Sequence, residues 1–155
     1  MQLTTADAQA RVAAVTDGAA IWGTTLGVGS FLTFEMGNAL PAGRPRAGDG
    51  EDKRHGDVHV WVYCSAWRLE TKDAVLASSE DDRDRLATGV LALDGKLLTR
   101  LEIAEPSLAA TFTFSDDTVL EVFPIFTDGY EHWMIYLPDG DVITAGPGSA
   151  LTIGR

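Results

Sequence analysis

The chain has 155 residues, of which 45% are hydrophobic and 23% are charged, a composition typical of one soluble globular domain over residues 1–155. Its formal net charge of −11 disfavours binding to nucleic acid or to anionic membranes, because both need clustered lysine and arginine. A basic protein partner is compatible with this charge, and so is an acidic surface that serves solubility alone.

The N-terminal part of the chain predicts a short helix followed by a strand. Alanine and valine side chains recur at helical spacing within residues 4–16, and Asp17-Gly18 is expected to end the helix. The run Ser30–Met36 is typical of a strand. The first residues lack the basic and apolar segments of a signal peptide, and no run approaches the roughly 20 apolar residues of a membrane span. We therefore expect a cytoplasmic protein.

Residues 38–56 form a long segment rich in proline, glycine and charges of both signs. This composition predicts a solvated loop between two strands. Loops of this length are either functional or mobile, and we favour a mobile loop.

The run Asp57–Glu70 has no glycine or proline and predicts one long β-strand. Because side chains alternate between the faces of a strand, one face is expected to be aliphatic and to build the core. The other face carries rings with polar tips, and it is either covered by a second layer or lines a cleft. The aliphatic face comprises Val58, Val60, Val62, Cys64 and Ala66, and the aromatic face comprises His59, Trp61, Tyr63, Ser65 and Trp67.

The C-terminal half predicts a second short helix, starting near Ser79, and then a meander of hairpins. Turn pairs at Asp94-Gly95, Asp116-Asp117 and Asp139-Gly140 each lie between runs suited to strands, of which the first is Val90–Leu93. The whole pattern predicts a mainly β (α+β) fold: a curved antiparallel sheet or a partly open β-barrel with two short helices.

The sequence does not indicate a catalytic constellation, a metal site or a cofactor. His55 and His59 are four residues apart, which separates them by about 13 Å in an extended chain. His59 and Cys64 are expected on opposite faces of the strand. Glu35 and Glu121 each lie inside an apolar strand, and alternation favours a solvated position for both. We therefore predict no metal ligands and no catalytic residue.

A ligand- or partner-binding surface is the best candidate site. If the strand that contains His132 and Tyr136 lies beside the long strand, then His59, Tyr63, His132 and Tyr136 share a cavity. The alternative is a set of packed aromatic residues with satisfied polar tips. The candidate binding residues are His59, Trp61, Tyr63, Trp67, His132 and Tyr136.

The segments GSFLTFEMG, VWVYCSAWRLE, ASSEDDR and EHWMIYLPDG together resemble a family of small bacterial proteins without an established activity. The resemblance implies a bacterial source and assigns no catalytic residues.

Two functional hypotheses follow from the sequence. The first is a non-enzymatic binding protein whose acidic surface engages a basic partner, as immunity proteins of similar size and charge engage toxins. The second is a small-ligand binder or enzyme that uses the aromatic face of the long strand. Self-association through sheet edges is a further expectation.

Overall fold

Residues 1–39 and 54–155 are described by the computed structural model, and they fold into two antiparallel β-sheets and two α-helices. This architecture confirms the mainly β, α+β prediction, and the sheets do not close into a barrel. The elements in chain order are α1 (Thr5–Thr16), β1 (Ile21–Leu26), β2 (Leu32–Ala39), β3 (Gly56–Val62), β4 (Ser65–Glu70), β5 (Val75–Ser78), α2 (Arg83–Val90), a 3₁₀ turn (Leu91–Leu93), β6 (Leu98–Ile103), β7 (Ala110–Phe114), β8 (Val119–Pro124), β9 (Trp133–Tyr136), β10 (Val142–Ala145) and β11 (Leu151–Gly154).

The two sheets pack face to face around one hydrophobic core. The first sheet has the strand order β1-β2-β3-β9-β10-β11, and the second has the order β5-β4-β8-β7-β6. Phe34 from the first sheet meets Phe112 from the second edge to face, with ring centroids 5.9 Å apart. Both rings are completely buried, so this contact marks the middle of the sandwich.

The run Asp57–Glu70 is two strands and not the single strand that the sequence predicts. β3 belongs to the first sheet and β4 to the second, and Tyr63 and Cys64 lie between them. Because the chain crosses from one sheet to the other, the core lies on opposite sides of the two strands. The buried residues that face the core are therefore Val58, Val60 and Val62 in β3, but Ser65, Trp67 and Leu69 in β4.

This crossover corrects the predicted positions of Cys64, Ser65, Ala66 and Trp67, because in β4 Ser65 and Trp67 are buried and Ala66 is only partly buried. Cys64 is only partly buried, because it lies at the crossover and not within an aliphatic strand face. Trp67 is a core residue, 3% exposed, and its Nε1–H donates a hydrogen bond to Ser30 O at 2.7 Å. It therefore does not share a face with Trp61.

The predicted turns are partly correct. Asp116-Asp117 joins β7 to β8 and Asp139-Gly140 joins β9 to β10, so both hairpins are confirmed. The prediction for Val90–Leu93 was wrong, because this run completes α2 and forms the 3₁₀ turn. Asp94-Gly95 consequently joins a helical turn to β6.

Both ends of the predicted loop over residues 38–56 belong to strands, since β2 extends to Ala39 and β3 begins at Gly56. Its central part, residues 40–53, lies outside the described residues. The prediction that the segment is mobile concerns these residues and is therefore not tested. In the part of the chain that is described, neither helix has the length and apolar character needed to span a bilayer.

Candidate metal centre

The outer face of the first sheet, opposite the core, carries a buried acid beside a buried imidazole. Glu35 in β2 is the register partner of His59 in β3, and His59 is in turn the partner of Tyr136 in β9. Glu35 is 1% exposed and His59 is 5% exposed. The predicted solvated position of Glu35 was therefore wrong, whereas Glu121 is exposed as predicted.

Gly56 explains how His55 joins this pair. A β-carbon at Gly56 would lie 2.6 Å from Met36 O and 3.2 Å from Glu35 Cβ, so only glycine allows the backbone to pass this closely over β2. The register shifts at the same point, between Met36 and Ala39. The close approach folds His55 back over Glu35, which is why the separation of about 13 Å expected for an extended chain does not apply.

The three side chains converge on one small volume. Glu35 Oε1 lies 3.1 Å from His55 Nδ1, and Glu35 Oε2 lies 2.5 Å from His59 Nδ1. The two Nδ1 atoms are 3.2 Å apart. His55 is 3% exposed, so all three groups are withdrawn from solvent.

The carboxyl group of Glu35 is held in its charged form. Burial raises its pKa, but the hydrogen bond from His59, the charges of His59 and His55 and the Gly56 amide together outweigh burial, so that the pKa falls below its ordinary value. The Gly56 N–H donates to Oε1 at 2.9 Å. An ionised carboxylate is the form that ligates a metal.

The protonation of the two rings decides how they meet Glu35. A carboxylate only accepts hydrogen bonds, so a ring that donates to Glu35 presents an Nδ1–H. Each Nδ1 lies beside a different carboxylate oxygen, so both rings can donate at once. Without those protons, the same two nitrogens present lone pairs beside the carboxylate, which is the form that ligates a metal.

A single metal ion at the centre would accept an electron pair from each of the three groups. Donor atoms about 2.0–2.1 Å from a tetrahedral ion lie roughly 3.3 Å from one another. The separations of 3.1 Å and 3.2 Å at His55 are close to that value, and the contact of 2.5 Å between Glu35 and His59 would have to lengthen. All candidate ligand atoms lie within 4.8 Å of one another.

The predicted cavity formed by His59, Tyr63, His132 and Tyr136 is divided in the structure. His59 and Tyr136 are in contact, with ring centroids 5.4 Å apart. His132 is buried and directs Nε2–H to Gly148 O at 2.8 Å, so its ring faces the turn between β10 and β11. Tyr63 belongs to a different group of rings.

Tyr63 packs between Phe31 and Trp61 at the crossover. The ring centroids lie 4.7 Å apart for Phe31 and Tyr63, and 5.0 Å apart for Trp61 and Tyr63. All three side chains are partly exposed. The predicted aromatic face therefore runs along β3 and ends at Tyr63, just after the strand. That this face binds a ligand stays a prediction.

Sequence reasoning missed Glu35 and His55 as site residues. The signal that could have found them is the strand register: β2 and β3 are consecutive in the chain and pair antiparallel, so Glu35 and His59 can occupy the same face on neighbouring strands. The second signal was the pair His55-Gly56, because a glycine next to a histidine allows the backbone to pass close to β2 and brings the histidine to Glu35. No family model, curated protein or solved structure matches this chain.

Proposed function

We propose that the protein binds a divalent transition-metal ion through Glu35, His55 and His59. The observation that supports this proposal is the convergence of two imidazole nitrogens and one carboxylate within 4.8 Å in a buried site. Burying an ionised carboxylate is costly unless it is paired. His55, His59 and the Gly56 N–H surround the carboxylate of Glu35, and a bound cation would take the place of the two imidazole protons.

The ligand chemistry favours certain ions. Imidazole nitrogen suits Zn²⁺, Fe²⁺, Co²⁺ and Ni²⁺, whereas Ca²⁺ and Mg²⁺ prefer sites built from oxygen alone. Two histidines and one carboxylate are also a ligand set found at metal sites that activate water or bind a substrate. This proposal differs from both sequence hypotheses, because the sequence predicted no metal ligands and its second hypothesis placed a small-ligand site on the aromatic face of the long strand.

The test is a metal titration of the purified full chain after treatment with a chelator. We expect one equivalent of Co²⁺ to give the visible absorption of a site with nitrogen ligands, and Zn²⁺ to displace it. At a Zn²⁺ concentration about 100 times the Kd, binding adds about 2.7 kcal/mol to the free energy of unfolding. For a chain of this size that corresponds to a rise in Tm of roughly 5–10 °C.

The variants Glu35→Gln and His59→Gln each remove one ligand and are expected to weaken binding by more than about tenfold. The chain has three histidines, so His132→Gln is the matched histidine control, and Glu121→Gln is the control for an exposed carboxylate. Circular dichroism in the presence of chelator shows whether each variant is folded. A folded chain that takes up no stoichiometric metal, or ligand variants that bind like the controls, would overturn the proposal.

A second candidate is binding to a basic protein partner, in which case the protein acts as a non-enzymatic, immunity-type protein in the cytoplasm. The net charge of −11 supports it, because complementary charge accelerates association and selects partners. A specific feature also favours it: exposed apolar side chains surround a pocket that has an acidic residue in its lining. Self-association through a sheet edge stays a prediction.

A further inference from the structure

A pocket of about 350 Å³ opens at the crossover between the two sheets, away from the candidate metal centre. Rings from three parts of the chain line it: Phe31 before β2, Tyr63 at the crossover, and Phe126 and Tyr130 between β8 and β9. Its volume lies within the range of small-ligand pockets. None of its lining residues belongs to the metal centre.

The rings form two pairs that face the pocket. The centroids of Phe31 and Tyr63 are 4.7 Å apart, and those of Phe126 and Tyr130 are 4.6 Å apart. Phe126 is 44% exposed and Tyr130 is 47% exposed, so the second pair forms an accessible wall. Aromatic faces carry a partial negative charge and attract cations within about 6 Å of the ring centre.

The charge at the pocket is negative, as is the partial charge on the faces of its aromatic rings. Glu80 lines it and is exposed, and no lysine or arginine is among its described lining residues. The charge of Glu131 also reaches the pocket, since together with burial it raises the pKa of the lining residue Cys64. An organic cation is therefore the ligand that this pocket complements.

The surface around the pocket is apolar and indicates that the cation belongs to a larger partner. Phe123 and Ile125 are both more than half exposed and adjoin the wall formed by Phe126. Apolar side chains grouped on a surface mark contact sites for other proteins. A free small cation would not use this rim, whereas a protein that presents a basic side chain would cover it.

We propose that the aromatic pocket formed by Phe31, Tyr63, Phe126, Tyr130 and Glu80 binds the guanidinium group of an arginine side chain on a basic protein partner. Arginine fits better than lysine because its guanidinium is planar, weakly hydrated and able to stack on a ring while it pairs with a carboxylate. This proposal rests on the second candidate function, binding of a basic partner, and is independent of the metal centre.

The test uses the full chain labelled with ¹⁵N and two probes: N-acetyl-arginine methylamide, and a nine-residue peptide in which arginine alternates with serine. The citrulline analogues have the same shape without the charge, and the lysine analogues keep the charge without the planar group. We expect arginine probes to shift the amide signals of Cys64, Ser65 and Tyr130. Lysine probes should act more weakly, and citrulline probes should give no saturable shift.

The variants Phe126→Ala, Tyr130→Ala and Glu80→Gln are each expected to weaken binding of the arginine peptide roughly threefold or more. Their side chains are exposed, so these variants should fold. Leu91→Ala and Glu121→Gln are the controls, since both residues are exposed and neither lines the pocket or belongs to its apolar rim. The binding should also weaken as the salt concentration rises.

The outcomes separate the two proposals. If the arginine peptide binds in a salt-dependent way but the pocket variants bind as well as the controls, the partner class stands and the pocket assignment is overturned. If arginine and citrulline probes bind equally, the recognition of charge is overturned. If no basic probe binds at 50 mM salt, the pocket proposal and the basic-partner proposal are both overturned. The metal proposal is unaffected by that result.

Discussion

The reactivity of the Cys64 thiol is determined by its surroundings. It lies where the chain passes between the sheets, and it is partly exposed. Burial and the negative charge of Glu131 both disfavour the thiolate and raise the pKa of the thiol. A reactive cysteine needs a lowered pKa, so exposure alone does not make Cys64 a nucleophile.

We expect Cys64 to react with iodoacetamide at pH 7.5 more slowly than free cysteine does, because less of it is thiolate. The rate should rise as the pH passes above the ordinary thiol pKa. Glu131→Gln removes one of the two causes and should accelerate the reaction roughly twofold or more. Glu121→Gln, which changes the net charge equally, should leave the rate unchanged. A wild-type rate equal to that of free cysteine would contradict the prediction.

The residues of the candidate metal centre were predictable in part. The sequence shows that Glu35 interrupts an apolar strand and that two histidines lie four apart. It does not show the backbone path at Gly56, and that path alone decides whether His55 reaches Glu35. A close approach between two strands depends on the register shift, which a pattern of alternation cannot reveal.

At the scale of elements, α2 packs on β5 through a position without a side chain. A β-carbon added at Gly89 would lie 2.7 Å from Ala77 Cβ and 3.0 Å from Leu76 O. Glycine is a poor helix former, and here it is required because the helix lies directly against the strand backbone. The short helix therefore covers the edge of the second sheet at close range.

Gly89→Ala should lower the free energy of unfolding by about 1–2 kcal/mol. The change gains up to about 1 kcal/mol of helix propensity, but overpacking against a backbone costs about 1–3 kcal/mol. The measurement is a denaturant titration followed by circular dichroism. Gly154→Ala is the control, since a β-carbon there meets nothing within 4 Å, and its effect should stay within about 0.5 kcal/mol. A more stable Gly89→Ala variant would show that α2 can move away from β5.

Hairpins were the elements that the sequence predicted best, since Asp-Asp and Asp-Gly turns between alternating runs act locally. The break at Tyr63 and Cys64 was not predictable in the same way. The run Asp57–Glu70 has strand propensity throughout, and only the presence of a second sheet makes it bend. The helical state of Val90–Leu93 likewise depends on what the run packs against, because its aliphatic residues suit either state.

For the whole molecule, the protection of sheet edges is the main consequence of the topology. The N-terminal residues pair with β11: Leu3 N–H donates to Leu151 O, and Ile153 N–H donates to Met1 O, both at 2.9 Å. At the edge of the second sheet, Ile103 N–H donates to the side chain of Gln9 in α1. Such cover limits strand pairing between copies.

Leu3→Pro removes one of the three hydrogen bonds that hold the N-terminal residues on β11, the third being from the Met1 amino group to Ile153 O. We expect it to lower the midpoint of thermal unfolding and to increase self-association, measured by light scattering at rising protein concentration. Gln2→Pro is the matched control, because none of these three hydrogen bonds uses the N–H of Gln2. Equal behaviour of the two variants would contradict a protective role for this pairing.

The location of Glu35, His55 and His59 on one hairpin has a consequence for the order of events during synthesis. β2 and β3 leave the ribosome well before β9, which supplies the other neighbour of β3 in the finished sheet. A nascent chain thus carries all three candidate ligands while the C-terminal third is still untranslated. If the chain binds a metal ion as we propose, the ion can bind before β9 joins the sheet, and the yield of folded protein would then depend on the metal present during synthesis.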